Sequence, residues 1–316
     1  MMSRVLSSSS ATRRTTGSRE PCSQSTGGSA WVRHNPLGAP ASPPASGPTP
    51  RSGKAIQPSS LPMNTPTQAA LRRINRDFYS RHAADFDRTR HAGGWPGWRR
   101  VVQTTAQPTN RPLRVLDLGC GNGRFALFLQ HNPELLSHGR FIYDGIDLSS
   151  ELTDHARAAA ASLDHIRFRT DDIENCALDE ATDDLVTLFG VLHHIPGFDT
   201  RRRTLERAAS AVAPGGLLAL TCWQFADDPG FERRRLDWAS EAGVDPAELE
   251  PEDHLLRWGP GDSQARRYCH HTDEPELDRL AFGLPLTEVG RYRSDGPGGR
   301  QNLYWLGARD GAATLS

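Results

Sequence analysis

Lysine, paired cysteines and long apolar runs are all scarce in this chain of 316 residues. Lys54 is the only lysine, so the abundance of arginine partly reflects genome composition and is weak evidence for phosphate binding. No Cys-x-x-Cys pair and no zinc-like spacing occurs among the five cysteines, which are Cys22, Cys120, Cys176, Cys222 and Cys269. No apolar stretch approaches the ~20 residues that span a bilayer. We therefore expect no metal site, no membrane segment and a reducing, cytoplasmic compartment.

The first 62 residues differ in composition from the rest of the chain. They are rich in Ser, Pro, Thr, Gly, Ala and Arg, and Glu20 is their only acid. Such a segment buries too little apolar surface to offset its chain entropy, so we expect residues 1–62 to be disordered. The composition also resembles that of an organelle transit peptide. Met63 offers an alternative start, and a misassigned start codon is the favoured explanation.

Net charge argues against bulk attraction to nucleic acid. Residues 1–62 hold seven basic side chains and one acid, a charge of +6, so the total of −1 leaves about −7 on residues 63–316. Arginines do cluster within 72–100 and at 201–203 and 233–235. Each cluster taken alone is more typical of a solvated helix face.

A buried strand followed by a glycine-rich turn is the most informative motif. Val115 to Gly123 reads Val-Leu-Asp-Leu-Gly-Cys-Gly-Asn-Gly, and an amphipathic helix follows. Glycine supplies the positive φ of such turns and lets a ligand lie against bare backbone. The spacing Gly119-x-Gly121-x-Gly123 differs from the Gly-x-Gly-x-x-Gly of dinucleotide sites. Taken alone, the turn also fits a simple tight connection.

Three further strand ends carry polar residues. Asp147 follows a strand at 141–146, and an acid at that position suits the two hydroxyls of a ribose. Asp171, Asp172 and Ile173 follow a strand near 165–169. The nearly continuous apolar run from Asp184 ends at His193 and His194, as expected for a central parallel strand covered on both faces.

The order of elements predicts an α/β fold. Strands are predicted near 113–118, 141–146, 165–169, 184–189 and 216–222, and helices near 123–131, 150–162 and 201–213. This alternation is typical of βαβ units with a mainly parallel sheet, in which ligands bind at the carboxyl ends of the strands. Pro214, Gly215 and Gly216 are predicted to end the last of these helices and begin the next strand.

The glycine turn, Asp117 and the three strand ends together resemble the class I S-adenosylmethionine-dependent methyltransferases. The resemblance implies a Rossmann-like fold over residues 63–316, with a mainly parallel seven-stranded sheet flanked by helices. It implies that the adenine lies between an acid, Asp172 rather than Asp171, and an apolar residue. The cofactor-binding residues expected for S-adenosyl-L-methionine are Tyr79, Arg90, Asp117, Gly119, Cys120, Gly121, Asn122, Asp147, Leu148, Asp172, Ile173 and Phe189.

The flanking segments resemble the tRNA wobble-uridine methyltransferases that esterify a 5-carboxymethyl group. The similarity covers roughly residues 70–308 and rests on motifs at 78–90, 95–98, 193–194, 267–271 and 301–305. It implies a helical N-terminal segment at 67–100, a tRNA acceptor and a small zinc-binding activator protein as partner. The chain departs from the pattern at Cys269 and in an insert at 224–266, which replaces the substrate-facing region.

The acceptor group decides which side chains the reaction needs. A carboxylate is ionised at pH 7 and needs no general base, so cationic or hydrogen-bonding groups would hold it, and Arg267, Tyr268 and His270 are the candidates. For an amine or hydroxyl acceptor, His193 or His194 could accept the proton. The leading hypothesis is methylation of a modified tRNA nucleoside. The alternatives are a small-molecule acid or hydroxyl as acceptor, and a catalytically silent cofactor-binding partner protein.

Overall fold

The computed structural model describes residues 63–88, 94–259 and 264–311. Residues 1–62, for which we expect disorder, and Arg90, a predicted cofactor ligand, lie outside the described residues. The helices are α1 (Thr65–Arg88), α2 (Pro96–Thr104), α3 (Arg124–His131), α4 (Ser150–Ala159), α5 (Phe198–Ala211), α6 (Phe231–Arg234) and α7 (Glu274–Ala281). None of the described helices combines the length and the apolar character needed to cross a membrane.

The strands form a large sheet and a small one. In chain order they are β1 (Leu113–Leu118), β2 (Phe141–Asp147), β3 (Ile166–Thr170), β4 (Asp183–Phe189), β5 (Val212–Trp223), β6 (Arg235–Leu236), β7 (Asp253–Arg257), β8 (Arg266–His270), β9 (Thr287–Ser294) and β10 (Asn302–Ala308). The seven-stranded sheet has the order β3-β2-β1-β4-β5-β10-β9, and β6-β7-β8 form a three-stranded sheet.

The large sheet is parallel from β3 to β5 and antiparallel where β10 joins β5 and β9. Every residue of β4 is buried, which explains why its sequence is mostly apolar from Leu185 onward, because helices cover both faces of a central parallel strand. Successive strand residues alternate between two cores: Leu185 packs on the face of α3, and Val186 packs on the face of α5. The predicted α/β Rossmann-like fold with a mainly parallel seven-stranded sheet is confirmed.

The predicted boundary between α5 and β5 is wrong by a few residues. The helix expected at 201–213 ends at Ala211, and β5 begins at Val212, ahead of the Pro-Gly-Gly sequence. Val212 pairs with Asp183 of β4, and Gly215 then adopts a φ of +80° as the strand continues. The strand therefore tolerates the glycines that were interpreted as a helix stop.

The small sheet and α1 stand beside the carboxyl ends of the parallel strands. Residues 224–266, predicted as a substrate-side insert, contain α6, β6 and β7, and β7 pairs with β8 in an antiparallel ladder. Helix α1 packs on β8, where Leu71 and Met63 contact the buried Tyr268. This arrangement encloses the space above the glycine turn.

Candidate functional site

A cavity of about 790 Å³ lies at the carboxyl ends of β1, β2 and β4. Its walls come from the large sheet, α1 and the small sheet. In open α/β folds, ligands are expected at this place, beyond the carboxyl ends of the strands. Eleven of the predicted cofactor-binding residues line it: Tyr79, Asp117, Gly119, Cys120, Gly121, Asn122, Asp147, Leu148, Asp172, Ile173 and Phe189.

The glycine turn presents bare backbone to the cavity. Gly119, Gly121 and Gly123 have φ values of +81°, +54° and +76°, which side chains other than glycine rarely adopt. The amides of Gly119 and Cys120 donate to the Ile146 carbonyl at 2.7 and 3.0 Å, so β2 fixes the turn. A Cβ on Gly121 would meet no atom within 4 Å. A ligand can therefore approach the main chain of Gly121 closely.

Asp147 lies at the tip of β2 and is held by backbone amides. One carboxylate oxygen accepts from the Gly121 amide at 2.8 Å, and the other accepts from the Ser149 amide at 2.9 Å. Burial raises the pKa of Asp147 despite these hydrogen bonds. Asp147 also lines the cavity, so its carboxylate can accept hydrogen bonds from ligand hydroxyl groups such as those of a ribose.

Asp117 lies deeper in the sheet beneath the turn. It accepts hydrogen bonds from Thr187 Oγ1 at 2.6 Å and from the Tyr143 hydroxyl. Burial raises the pKa of Asp117 to about 6, although both hydrogen bonds act to lower it. Neither Thr187 nor Tyr143 was singled out from the sequence, because they come from two other strands.

The residues predicted to flank the adenine also lie together at the cavity. Asp172 lines the cavity and Asp171 does not, so the structure places the acid that the resemblance favoured there. The Asp172 carboxylate accepts from the Glu174 amide at 3.0 Å and from Asn175 Nδ2 at 2.7 Å. Leu148, which is 57% exposed, offers an apolar surface nearby. The bare turn, the Asp147 carboxylate and these residues fit an adenosyl group.

Two histidines border the cavity beyond the glycine turn. The rings of His193 and His194 lie 4.0 Å apart between centroids, and His193 is 5.4 Å from the ring of Trp223. His194 Nε2 lies 2.8 Å from the Tyr79 hydroxyl. His194 Nδ1 lies 3.2 Å from both the Tyr268 carbonyl and Asn75 Nδ2. Because one neighbour of Nδ1 is an acceptor and the other a donor, both tautomers of His194 find partners.

Residues of β8 divide between two faces of the strand. Arg267 lines the cavity, and its guanidinium lies 4.8 Å from the Trp223 ring and 5.6 Å from the Phe78 ring. Tyr268 and His270 point the other way: the Tyr268 hydroxyl and His270 Nδ1 bond the same Asp253 oxygen at 2.7 and 2.8 Å. Neither lines the cavity. The expectation that both hold the acceptor is therefore corrected, since alternation along a strand brings only one face to the site.

Tyr268 and His270 belong to a buried ionic network. His270 Nε2 bonds Glu276 at 2.8 Å, and Arg201, which is 1% exposed, bonds Glu276 at 2.8 Å and Glu250 at 2.5 Å. Burial and Arg201 act to lower the pKa of His270, but its bonds to Asp253 and Glu276 raise it overall. Burial acts to raise the pKa of Glu276, but His270 and Arg201 lower it to about 2. The network joins α5, α7 and the small sheet.

Two groups of possible metal ligands occur among the described residues. Ligand atoms of His193, His194 and Cys269 lie within 4.8 Å of one another, as do those of Glu250, Asp253 and His270. Burial raises the pKa of Cys269 to about 11, which disfavours the thiolate that binds metals. The second group is hydrogen-bonded within the ionic network. We assign neither group to a metal.

The sequence analysis missed most of the α1 contribution. Arg72, Asn75 and Arg76 line the cavity with Tyr79. Their spacing of three and four residues places them on one helix face, which was the available signal. Arg234 and Gln301 come from the insert and the turn before β10. Arg234 belongs to the arginine cluster at 233–235 and Gln301 to the motif at 301–305, but neither pattern predicts a place at the cavity, because distant segments bring these residues there.

Comparison with known proteins places the chain in a family. The family described as methyltransferase domain matches residues 87–283. Ubiquinone biosynthesis O-methyltransferase of Coxiella burnetii is 31% identical over 120 residues, which cover 38% of this chain and 47% of that protein. The 27-O-demethylrifamycin SV methyltransferase of Amycolatopsis mediterranei is 32% identical over 143 residues, which cover 41% of this chain and 49% of that protein. The chain thus spans about half the length of these curated relatives.

A solved structure shows the same fold. The Burkholderia thailandensis 1,6-didemethyltoxoflavin-N1-methyltransferase, crystallised with bound 1,6-didemethyltoxoflavin and S-adenosylhomocysteine, is 20% identical, with a TM-score of 0.53. The match covers 79% of this chain and 93% of that chain. The solved structure thus supports the fold predicted from the sequence, and the family match shows that the chain belongs to the methyltransferase domain family.

Proposed function

We propose that the protein methylates a hydroxyl group of a small molecule with S-adenosylmethionine as donor. The proposal depends mainly on the position of His193, which is buried in the wall of the cavity. The same wall contains the bare Gly121 backbone and Asp147. A neutral hydroxyl loses its proton during methylation, and a positioned histidine is the commonest group to accept it. A carboxylate acceptor would leave both histidines without that role.

The size of the cavity supports a small acceptor. Pockets for small ligands have volumes of roughly 300–1,000 Å³, and this cavity of about 790 Å³ has to hold donor and acceptor together. The names of two relatives, ubiquinone biosynthesis O-methyltransferase and 27-O-demethylrifamycin SV methyltransferase, point in the same direction. We therefore rank the small-molecule alternative above the tRNA hypothesis.

The relatives described above give no support to a tRNA acceptor or to a zinc-binding activator protein. The charge of about −7 on residues 63–316 also disfavours general attraction to RNA. A cytoplasmic location stays a prediction from the unpaired cysteines.

Each part of the site has a separate task in the proposed reaction. S-adenosylmethionine, when bound, supplies an electrophilic methyl group on a sulfonium. The turn at Gly119–Gly123 and the Asp147 carboxylate would hold its adenosyl part, and Leu148, Asp172 and Ile173 would flank the adenine. An imidazole nitrogen of His193 takes the proton from the hydroxyl group that becomes methylated. Helix α1 covers the cavity and excludes water, so positioning supplies much of the rate enhancement.

His193→Asn tests the proposed proton acceptor. We expect kcat to fall by about 10²- to 10⁴-fold, the usual contribution of a general base, while the Kd for S-adenosylhomocysteine measured by calorimetry stays unchanged. His155→Asn, at an exposed position of α4, is the matched control and should behave as the wild type. An unaltered kcat in His193→Asn would remove His193 from this role.

Labelled S-adenosylmethionine separates the competing functions. We expect methyl label to enter a small-metabolite extract and not bulk tRNA. Base-labile label in tRNA alone would reinstate the wobble-uridine hypothesis. If calorimetry showed cofactor binding but neither extract accepted label, the silent-partner alternative would be favoured.

A further inference from the structure

Arg267 is a buried cation without an acidic partner among the described residues. It is only 7% exposed, and its Nε finds no hydrogen-bond partner within the described ranges. Its guanidinium lies against the rings of Trp223 and Phe78, which we name the aromatic clamp. A charge removed from water is costly unless an opposite charge or hydrogen bonds compensate. Arg267 also lines the cavity, so a ligand can reach it.

Three other arginines that are buried or line the cavity have carboxylate partners within the protein. Arg201 bonds Glu250 and Glu276, Arg72 pairs with Glu174, and Arg234 pairs with Asp228. In the described part of the chain no such ion pair involves Arg267. The side chain is nevertheless fixed in place, since the aromatic clamp holds the guanidinium by cation–π contacts.

Most charges in the cavity wall are separated by sign, and the Arg72–Glu174 ion pair lies where the two sides meet. The acids come from β1, β2, α4 and the segment after β3: Asp117, Asp147, Glu151, Asp172 and Glu174. Four of the five arginines come from α1, α6 and β8: Arg72, Arg76, Arg234 and Arg267, whereas Arg124 belongs to α3. The acidic side suits a cationic sulfonium donor, and the arginine side suits an anion.

We propose that the methyl acceptor carries an anionic group, a carboxylate or phosphate distinct from the methylated hydroxyl, and that Arg267 binds this group. The proposal rests on the small-molecule function and names its substrate class. Arg267 and His193 both contact Trp223, at 4.8 and 5.4 Å from its ring centroid. One ligand can therefore reach both side chains. The planar guanidinium fork is suited to two hydrogen bonds with a carboxylate or phosphate.

Saturation-transfer NMR tests the anion site without catalysis. The full-length protein is loaded with S-adenosylhomocysteine, so that cofactor-site binding does not contribute, and benzoate is compared with benzamide as probe. We expect transfer to benzoate at least fivefold larger than to benzamide in the wild type. Equal transfer to both probes in the wild type would overturn the proposal, and this comparison needs no variant.

Variants then locate the site. Arg267→Gln should abolish the benzoate preference, and Arg267→Lys should retain part of it, because the charge stays but the planar fork is lost. Arg266→Gln is the matched control: Arg266 is the preceding residue of β8, is exposed and pairs with Glu241. It should keep the full preference. A benzoate preference that survives in Arg267→Gln would overturn the assignment of Arg267.

A kinetic comparison separates this proposal from the proposed function. With 4-hydroxybenzoate and 4-hydroxybenzamide as acceptors, Arg267→Gln should lower kcat/KM for the acid by 10- to 100-fold and leave the amide within twofold. Equal losses for both acceptors, or a weakened Kd for S-adenosylhomocysteine, would assign Arg267 to packing or to the cofactor. If the wild type methylates neither compound, the proposed function loses support, while the NMR preference still decides the anion site.

Discussion

Gly119 and Gly121 differ in what a side chain would meet. At Gly119 a Cβ would clash with the Val191 side chain, whereas at Gly121 it would enter the open cavity. The first glycine is therefore required by the protein's own packing, and the second by the space left for a ligand. Substitution at Gly121 can test the ligand site with little effect on the core.

We expect Gly121→Ala to fold and to bind S-adenosylhomocysteine at least tenfold more weakly, because its methyl group occupies ligand space. An alanine at this φ of +54° costs about 1–2 kcal/mol of strain. Gly215→Ala is the control, since Gly215 has a φ of +80° and equally open surroundings but does not line the cavity. Calorimetry and urea unfolding measure the two effects. Equal affinity in both variants would contradict the proposed backbone contact.

The buried Asp117 carboxyl lowers the stability of the folded protein by an amount that depends on pH. Burial disfavours the charged form and raises the pKa of Asp117 from its ordinary value of 3.8 to about 6 in the folded protein. The native state thus binds the proton more tightly, so the stability contributed by this group falls as pH rises from about 4 to 6. Below pH 3.8 the Asp117 carboxyl is protonated in both the folded and the unfolded protein, so no buried charge lowers the stability.

Asp117→Asn should therefore gain stability over the wild type as pH rises. Between pH 5 and 8 we expect the difference in unfolding free energy to move in favour of the variant by about 1 kcal/mol. Urea unfolding at both pH values measures it. Asp179→Asn, at an exposed position, should show no such change. A pH-independent difference for Asp117→Asn would mean that Asp117 titrates alike in the folded and unfolded states.

Among the secondary-structure elements, the parallel strands were the easiest to predict. The residues of β4 read as one apolar run because both faces are buried, and β1 reads as a strand because a glycine turn ends it. The small sheet was missed. Strand β6 has only two residues, and its pairing with β7 depends on contacts between distant segments. Local sequence carries no signal for such pairing.

Residues of the candidate site are easiest to predict where one segment carries them. Gly119 to Asn122 of the glycine turn and Asp147 directly follow their strands in the sequence, and they line the cavity. The resemblance named Arg267, Tyr268 and His270 together, but a strand turns alternate side chains to opposite faces. Only the packing of α1 and α7 against β8 decides that Arg267 faces the cavity while His270 joins Glu276.

The ionic network behind β8 should dominate the stability of this region. Arg201→Met leaves the Glu250 and Glu276 carboxylates without their cation, and removal of one partner from a buried ion pair costs about 3–5 kcal/mol. Arg203→Met, on an exposed part of the same helix, should cost less than 1 kcal/mol. Urea unfolding at pH 7 compares them. Similar small losses would show that other groups compensate the two acids.

Across the whole molecule, three parts meet at one amide side chain. Asn75 of α1 accepts from the Tyr268 amide of β8 at 2.9 Å, and its Nδ2 lies 3.4 Å from the His194 carbonyl after β4. Asn75 is buried and lines the cavity. The side chain therefore joins the covering helix, the small sheet and the large sheet around the ligand space.

Removal of the Asn75 side chain should weaken the contacts by which α1, the small sheet and the large sheet enclose the cavity. In Asn75→Ala the buried Tyr268 amide loses its acceptor, which costs about 1–3 kcal/mol of stability. Because α1 then covers the cavity less firmly, S-adenosylhomocysteine should bind more weakly and raise the melting temperature less than in the wild type. Asp77→Ala, two residues along α1 and exposed, is the control. Thermal unfolding with and without S-adenosylhomocysteine measures both effects, and an unchanged ligand-induced shift in Asn75→Ala would show that α1 covers the cavity independently of this link.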